Sequence, residues 1–180
     1  MASRSTNSSL IIEDATPDDA GTIIDLIKEL AIYENMLDQV KLTAAELKAD
    51  LSDKQPWGLK AKVAKLLGTT GERETVGYAL YFFRFDDLQG KRTVYMEDLY
   101  VRPAVRRIGI GMTLWRSVAQ HGLEERCTQL QFAVLEWNKL GTDFYKKVGA
   151  FDRTLSYGVR LYRNNLTKTE RKKAVLSALI

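Results

Sequence analysis

The chain has 180 residues, of which 45% are apolar and 28% charged, the balance of one ordinary globular domain; this excludes a disordered, collagenous or coiled-coil chain. Its 27 basic and 23 acidic residues leave a net charge of +4, which suits an anionic small ligand or weak association with nucleic acid and does not choose between them. A single cysteine, Cys127, and a single histidine, His121, exclude an intrachain disulfide and a Cys/His zinc site, so no metal is expected.

Cys127 and His121 are read as a small buried thiol and a surface histidine, because an activated thiol needs a base oriented by a third group. Residues Met1 to Ser9 are polar with one arginine and lack the apolar core of a signal peptide. No stretch approaches the ~18 apolar residues of a membrane span. The expectation is a cytoplasmic protein with a flexible N-terminus over 1–9 and one domain over 10–180.

A short apolar run, Leu10-Ile11-Ile12, precedes Thr16-Pro17-Asp18-Asp19, which supplies an N-cap, a proline at the first helical position and early negative charge. A helix is predicted from Pro17, with Ala20, Ile23, Ile24, Ile27, Leu30 and Ala31 on its buried face. Thr43-Ala44-Ala45-Glu46 has capping-box spacing and opens a second helix to about Leu51. The period then changes to two. Leu59, Ala61 and Val63 alternate with Lys60 and Lys62, Thr75 to Arg84 is a second strand, and Thr93 to Val101 a third, giving an antiparallel meander.

Beyond Pro103 comes the loop Arg106-Arg107-Ile108-Gly109-Ile110-Gly111, then a helix with Met112, Trp115, Val118 and Ala119 on one face. A buried strand, Leu130 to Leu135, follows, then a helix from about Lys139 to Val148 that Gly149 can terminate. This alternation argues for parallel pairing through a helical crossover. A last strand is predicted near Leu155 to Tyr162 and a short basic helix after the Thr167 to Glu170 box. The fold class is α/β, built on a mixed, mostly antiparallel sheet.

The loop carries the clearest chemistry. Arg106-x-x-Gly109-x-Gly111 lies between a strand and a helix, where glycines leave backbone N–H groups bare at a helix N-terminus that favours an anion such as a pyrophosphate. It is neither the dinucleotide fingerprint nor a Walker loop. On the strand Thr93 to Val101, period-two alternation places Glu97 with Tyr95, Leu99 and Val101 and turns Asp98 the other way.

These residues resemble a family. Arg106 to Gly111 is similar to the Gln/Arg-x-x-Gly-x-Gly/Ala loop of the GCN5-related N-acetyltransferases. Glu29-Leu30-Ala31-Ile32-Tyr33-Glu34, Tyr95 to Val101, Glu136-Trp137-Asn138 and Phe144 to Ala150 resemble the diamine (spermidine/spermine) and thialysine acetyltransferases, in the same order from about Ile11 to Arg160. The resemblance implies the GNAT fold, in which a parallel pair of strands splays apart.

It also implies acetyl-CoA as co-substrate. The backbone from Leu99 through Tyr100 to Val101 would pair with the pantetheine arm, which needs an opening between that strand and Leu130 to Leu135. Arg106, Arg107, Ile108, Gly109, Ile110, Gly111 and Met112 would hold the pyrophosphate. Asn138, Lys139, Leu140, Gly141 and Tyr145 would line the same cleft.

Acetylating an amine needs its neutral form, and an unperturbed ammonium of pKa ~10.4 costs about 4.6 kcal/mol to deprotonate at pH 7. By resemblance, Glu97 accepts that proton through water with Asp98 beside it, and Tyr145 protonates the departing thiolate. Tyr33, Glu34, Asp87, Glu97, Asp98 and Glu136 form the acceptor set, suited to a small cationic amine. Arg107 stands where the family has glycine or a polar residue, and Tyr157 where polyamine enzymes have a further acid. Polyamines, shorter diamines and lysine-like amino acids such as thialysine all stay open.

A homodimer is implied by the same resemblance. Two other readings compete: a catalytically silent acyl-CoA-binding module, and a nucleic-acid binder using Arg102, Arg106, Arg107 and the Lys168 to Lys173 cluster. The second is disfavoured because no aromatic residues for base stacking are interleaved with that cluster. No nucleic-acid or membrane partner is expected.

Overall fold

Two reciprocal caps start the N-terminal helices. Thr16 N–H donates to Asp19 Oδ2 at 2.8 Å, and Pro17–Asp19 form a single 3-10 turn that runs into α1 (Ala20–Tyr33). Thr43 N–H donates to Glu46 Oε2 at 2.9 Å while Glu46 N–H donates back to Thr43 Oγ1 at 3.3 Å, opening α2 (Ala44–Ser52). The computed structural model describes residues 9–52, 58–68, 71–87 and 90–152. The expectations for residues 1–8, for the strand near Leu155 to Tyr162 and for the helix after Thr167 lie outside them.

The chain divides after Ala133 into two compact units. The first holds a five-stranded sheet in sequence order: β1 (Ser9–Asp14), β2 (Lys60–Leu67), β3 (Arg73–Asp86), β4 (Lys91–Val101) and β5 (Gln129–Phe132). The first four pair antiparallel, and β4 pairs with β5 in parallel through the crossover helix α3 (Ile110–Glu124). The meander and the crossover therefore stand as the sequence implies. The apolar run at Leu10 to Ile12 is the edge strand β1, and β5 ends at Phe132, short of the predicted Leu135.

One face of the sheet packs Val63, Tyr78, Leu80 and Tyr100 against Ile23, Ile24 and Leu26 of α1 and Leu47 of α2. Leu26 was not among the predicted face positions; Ile27 and Leu30, which were, are only partly buried against this core. On α3 the buried row is Ile110, Leu114, Val118 and Gly122, a strict i, i+4 series, so the predicted Met112, Trp115 and Ala119 flank it half-buried.

His121 departs from its predicted surface position. It is half-buried, its Nδ1 lies 2.6 Å from the Tyr81 hydroxyl, and both Tyr81 and Phe83 meet its ring edge-on. Burial pushes Tyr81 above its ordinary range, so the phenol keeps its proton and shares a hydrogen bond with the imidazole, whose tautomer sets the direction. Burial, with Lys62 adding to it and Asp14 and Glu125 opposing, holds His121 below its usual value. A lowered histidine stabilises the fold above the unfolded pKa of ~6.5 and loses that contribution as pH falls below it. From pH 7 to pH 5 the melting temperature of His121→Asn should gain on that of the wild-type protein, by calorimetry at each pH.

The largest departure lies in β4. Met96 faces Tyr81 and Asp98 faces Leu80, so Glu97 is an extra residue, a β-bulge with no partner in β3. The bulge reverses the alternation beyond it. Tyr95, Asp98 and Tyr100 share the α1 face with Phe82, Leu80 and Tyr78, while Leu99 and Val101 share the other face with Met96. The predicted grouping of Glu97 with Tyr95, Leu99 and Val101 is thus overturned, because an inserted residue shifts a period of two by half a cycle.

The second unit, described to Asp152, contains α4 (Lys139–Lys147). Asn138 caps it, its Oδ1 accepting the Gly141 N–H at 2.9 Å. Gly141 is required by close approach, since a Cβ there would lie 2.8 Å from Val134 Cγ2. Gly149, at φ 82°, follows Val148 as the expected C-terminal stop.

Candidate active site

The bulge gathers carboxylates. Glu97 is exposed and Asp98 half-buried beside it, where Asp98 Oδ2 accepts the Tyr78 hydroxyl at 2.9 Å. Tyr78 is fully buried, and burial with the nearby Asp98 charge pushes its phenol well above the ordinary value, so it keeps the proton that it donates to Asp98. Burial raises the Asp98 carboxyl to about 6; the charges of Glu97 and Glu34 add to the rise and the Tyr78 hydrogen bond opposes it. Glu34, just past α1, is itself raised by burial. Glu34, Glu97 and Asp98 therefore form one acidic cluster, an arrangement that can bind a cation and that gives one member an affinity for a proton near neutrality.

Tyr33 is brought to the same side by a cationic stack. The Arg106 guanidinium lies 5.4 Å from the Tyr100 ring centroid and 6.0 Å from that of Tyr33, and its Nε donates to Val101 O at 2.7 Å. Arg106 thus braces the loop with its side chain. Arg102 is engaged nearby, its Nε donating to Glu29 Oε1 at 3.0 Å and its Nη1 to Glu74 Oε1 at 2.9 Å. Tyr100 donates to Glu29 Oε2 at 3.1 Å.

Two features fit an extended acyl-CoA. Arg102 N–H donates to Val76 O at 2.9 Å, which fixes the parity of β4: Tyr100 and Asp98 bond toward β3, while Leu99 and Val101 turn their N–H and C=O groups to the opposite edge. On that edge the parallel register with β5 stops at Met96↔Phe132. The backbone of Leu99 to Val101 therefore lies past the end of the pairing, at an edge that can take an amide-bearing ligand as an added strand.

The second feature is the start of α3. Gly109 is its N-cap at φ 97° and offers no side chain to the first turn; the first helical hydrogen bond is Thr113 N–H to Gly109 O at 3.0 Å. The N–H groups of Ile110, Gly111 and Met112 precede that bond, so the helix end presents three donors to an anion. Arg107, at φ 68°, and Ile108 are exposed beside them. Gly109→Val would force a branched side chain into the left-handed region, at a cost of about 2 kcal/mol. The expected result is a rise of about ten-fold or more in KM for acetyl-CoA, read from steady-state kinetics.

The remaining predicted residues lie on other elements of the chain. Asp87 is exposed at the turn after β3. Glu136, Asn138, Lys139, Leu140, Gly141 and Tyr145 belong to the second unit, with Glu136 exposed in a turn and Tyr145 half-buried on α4, edge-on to Phe144 at 5.5 Å and 74°. Sequence reasoning missed Tyr78, whose link to Asp98 requires the β3–β4 register. Among the described residues no cluster of histidine, cysteine and carboxylates could hold a metal ion, and no helix is long and apolar enough to cross a membrane.

Comparison with known proteins gives the family. The model of the acetyltransferase (GNAT) family matches residues 34–150. A thialysine N-epsilon-acetyltransferase of Bos taurus is 41% identical over 157 residues, covering 86% of this chain and 91% of that protein. A Homo sapiens spermidine/spermine N(1)-acetyltransferase-like protein 1 is 37% identical over 86% of this chain and 22% of that protein. Among solved structures, an aminoglycoside N-acetyltransferase in complex with CoA superposes with a TM-score of 0.68 at 18% identity, covering 92% of this chain and all of that one, a likeness of fold. The chain belongs to the acetyltransferase (GNAT) family and is an N-acetyltransferase whose acetyl donor is acetyl-CoA.

Proposed function

We propose that the enzyme moves the acetyl group to a primary amine of a small cationic acceptor, a polyamine, a diamine or a thialysine-like amino acid, by direct attack of the amine. The acidic bulge carries this reading. Glu97 meets the ammonium at the surface, and its proton passes through water to the Glu97–Asp98 pair, whose buried member is raised to about 6 and so lies closer to the amine than an ordinary carboxylate. Glu34 and Tyr33 complete the cation site, with Asp87 and Glu136 as further acidic contacts.

Acetyl-CoA supplies the acyl group as an activated thioester. The donors of Ile110, Gly111 and Met112 would hold its diphosphate, with Arg106 to Gly109 shaping the turn. The β4 edge at Leu99 to Val101 would hold its amide-bearing arm, and Asn138 to Gly141 would line the cleft. Tyr145 is assigned the proton given to the departing sulfur. The reading takes residues 10–180 as one transferase domain, supported by a family match that runs through both units. A homodimer and a cytoplasmic site of action complete it, on family resemblance and the sparse cysteine content.

The test is thiol release from acetyl-CoA with putrescine, spermidine, spermine, lysine and thialysine as acceptors, compared by kcat/KM. Turnover with at least one of these amines is expected. Failure with all five, at saturating acetyl-CoA, overturns the acceptor class.

A further inference from the structure

We propose that Arg84 reads a carboxylate on the acceptor, so that the enzyme favours an amino acid with a terminal amine over the diamine of the same length. The inference rests on the amine-acetyltransferase reading above and names the residue that selects among amines.

Arg84 belongs to the same face of the sheet as Asp98. On that face Tyr95 pairs with Phe82 of β3 and with Gln131 of β5, and Arg84 follows Phe82 by two residues. The Arg84 guanidinium lies 5.1 Å from the Tyr95 ring centroid and donates to Gln131 Oε1, while Gln131 Nε2 donates to Gln129 Oε1 at 2.8 Å. An aromatic face and an amide hold the cation in place, and both are neutral. Other arginines of this unit are matched to acids: Arg102 to Glu29 and Glu74, Arg92 to Glu125, Arg73 to Glu13. Among the described residues no carboxylate forms an ion pair with Arg84. Its fork of five N–H donors spends one on Gln131 and presents others outward from an exposed side chain.

The spacing gives the ligand. Tyr95 stands opposite Phe82 and Asp98 opposite Leu80, so the two rows are two residues apart on β3, about 7 Å. A guanidinium over Tyr95 and a carboxylate pair at Glu97 and Asp98 are therefore separated by a distance comparable to the four-methylene reach of a lysine-like side chain. Tyr95 lies between the two charges. Burial raises its phenol, the Glu97 charge adds to the rise and the Arg84 charge opposes it, so both charged groups bear on the same ring. An acceptor laid across Tyr95 would put its reacting amine at the acidic bulge and its other end at Arg84. For an amino acid that other end carries a carboxylate beside the α-ammonium, and the fork can take the carboxylate in two hydrogen bonds; for a diamine the second ammonium stands alone and meets a like charge.

Lysine and cadaverine form the matched probe pair, because they differ only in the carboxylate. In the wild-type enzyme kcat/KM should be higher for lysine than for cadaverine. In Arg84→Gln the lysine-to-cadaverine ratio should fall by about ten-fold or more, the scale of a charge-assisted pair, and Arg84→Lys should restore part of it. A ratio unchanged by Arg84→Gln, or a wild-type preference for cadaverine, overturns the role of Arg84 while acetylation of either amine sustains the transferase reading. Absence of transfer to both amines and to the rest of the panel overturns the two together.

Discussion

Asp98→Asn should lower kcat/KM for amine acetylation by about 100-fold or more and raise the melting temperature at pH 8. The two effects have one cause. The Asp98 carboxyl is raised to about 6, first by burial and then by Glu97 and Glu34, so the folded protein binds this proton more tightly than the unfolded chain does. Its contribution to stability is present in full below the unfolded value near 3.9 and is lost as pH rises through about 6, leaving a buried charge that costs roughly 2–3 kcal/mol.

Asparagine keeps an oxygen for the Tyr78 hydroxyl and removes the charge. The variant should therefore gain little over wild type at pH 4 and most at pH 8, by calorimetry. Its residual activity should also lack the acid limb near pH 6 that wild-type kcat/KM should show. Equal melting temperatures with an unaltered pH profile would mean that Asp98 is a solvated bystander.

Tyr145→Phe should lower kcat by tens-fold or more while leaving acetyl-CoA binding nearly intact. A phenol of ordinary pKa ~10 carries its proton at neutral pH and can give it to a departing thiolate; a phenyl ring cannot. The substitution keeps the ring and with it the edge-on contact to Phe144 at 5.5 Å, and a melting curve of the variant checks that the fold is retained. Thiol release measures the first quantity and titration calorimetry with acetyl-CoA the second. Unchanged kcat removes Tyr145 from the mechanism, and lost binding together with kcat reassigns it to the coenzyme cleft.

Much of the architecture was legible because its signals are local. Thr16-Pro17, the Thr43 to Glu46 box, Gly109 before α3 and Gly149 after α4 each act within one turn, where the residue type decides the backbone. The acidic pair and the glycine loop were equally visible. What the sequence could not show depends on register between strands far apart in the chain. The bulge at Glu97 exists only relative to Leu80 and Tyr81, and the Tyr78–Asp98 bond follows from it, while the placing of Arg84 over Tyr95 follows from the pairing of Phe82 with Tyr95. His121 was misplaced for the same reason, since its partner Tyr81 lies 40 positions away. Arg106 was assigned to the coenzyme by its motif; the stack on Tyr33 and Tyr100 needed the loop and the end of α1 side by side.

The extra residue at position 97 changes how this strand must be engineered. Anyone redesigning the acceptor floor would choose alternate positions from Tyr95 onward and would alter 97, 99 and 101, two of which line the α3 side instead. The floor is tiled by 95, 98 and 100, and the step of three is the toll for seating a charged residue mid-strand. Deleting Glu97 would put the strand back in phase. Asp98 would stay opposite Leu80 on the face of Tyr95 and Tyr100, and the floor would follow an unbroken step of two, stripped of the second carboxylate that the bulge carries.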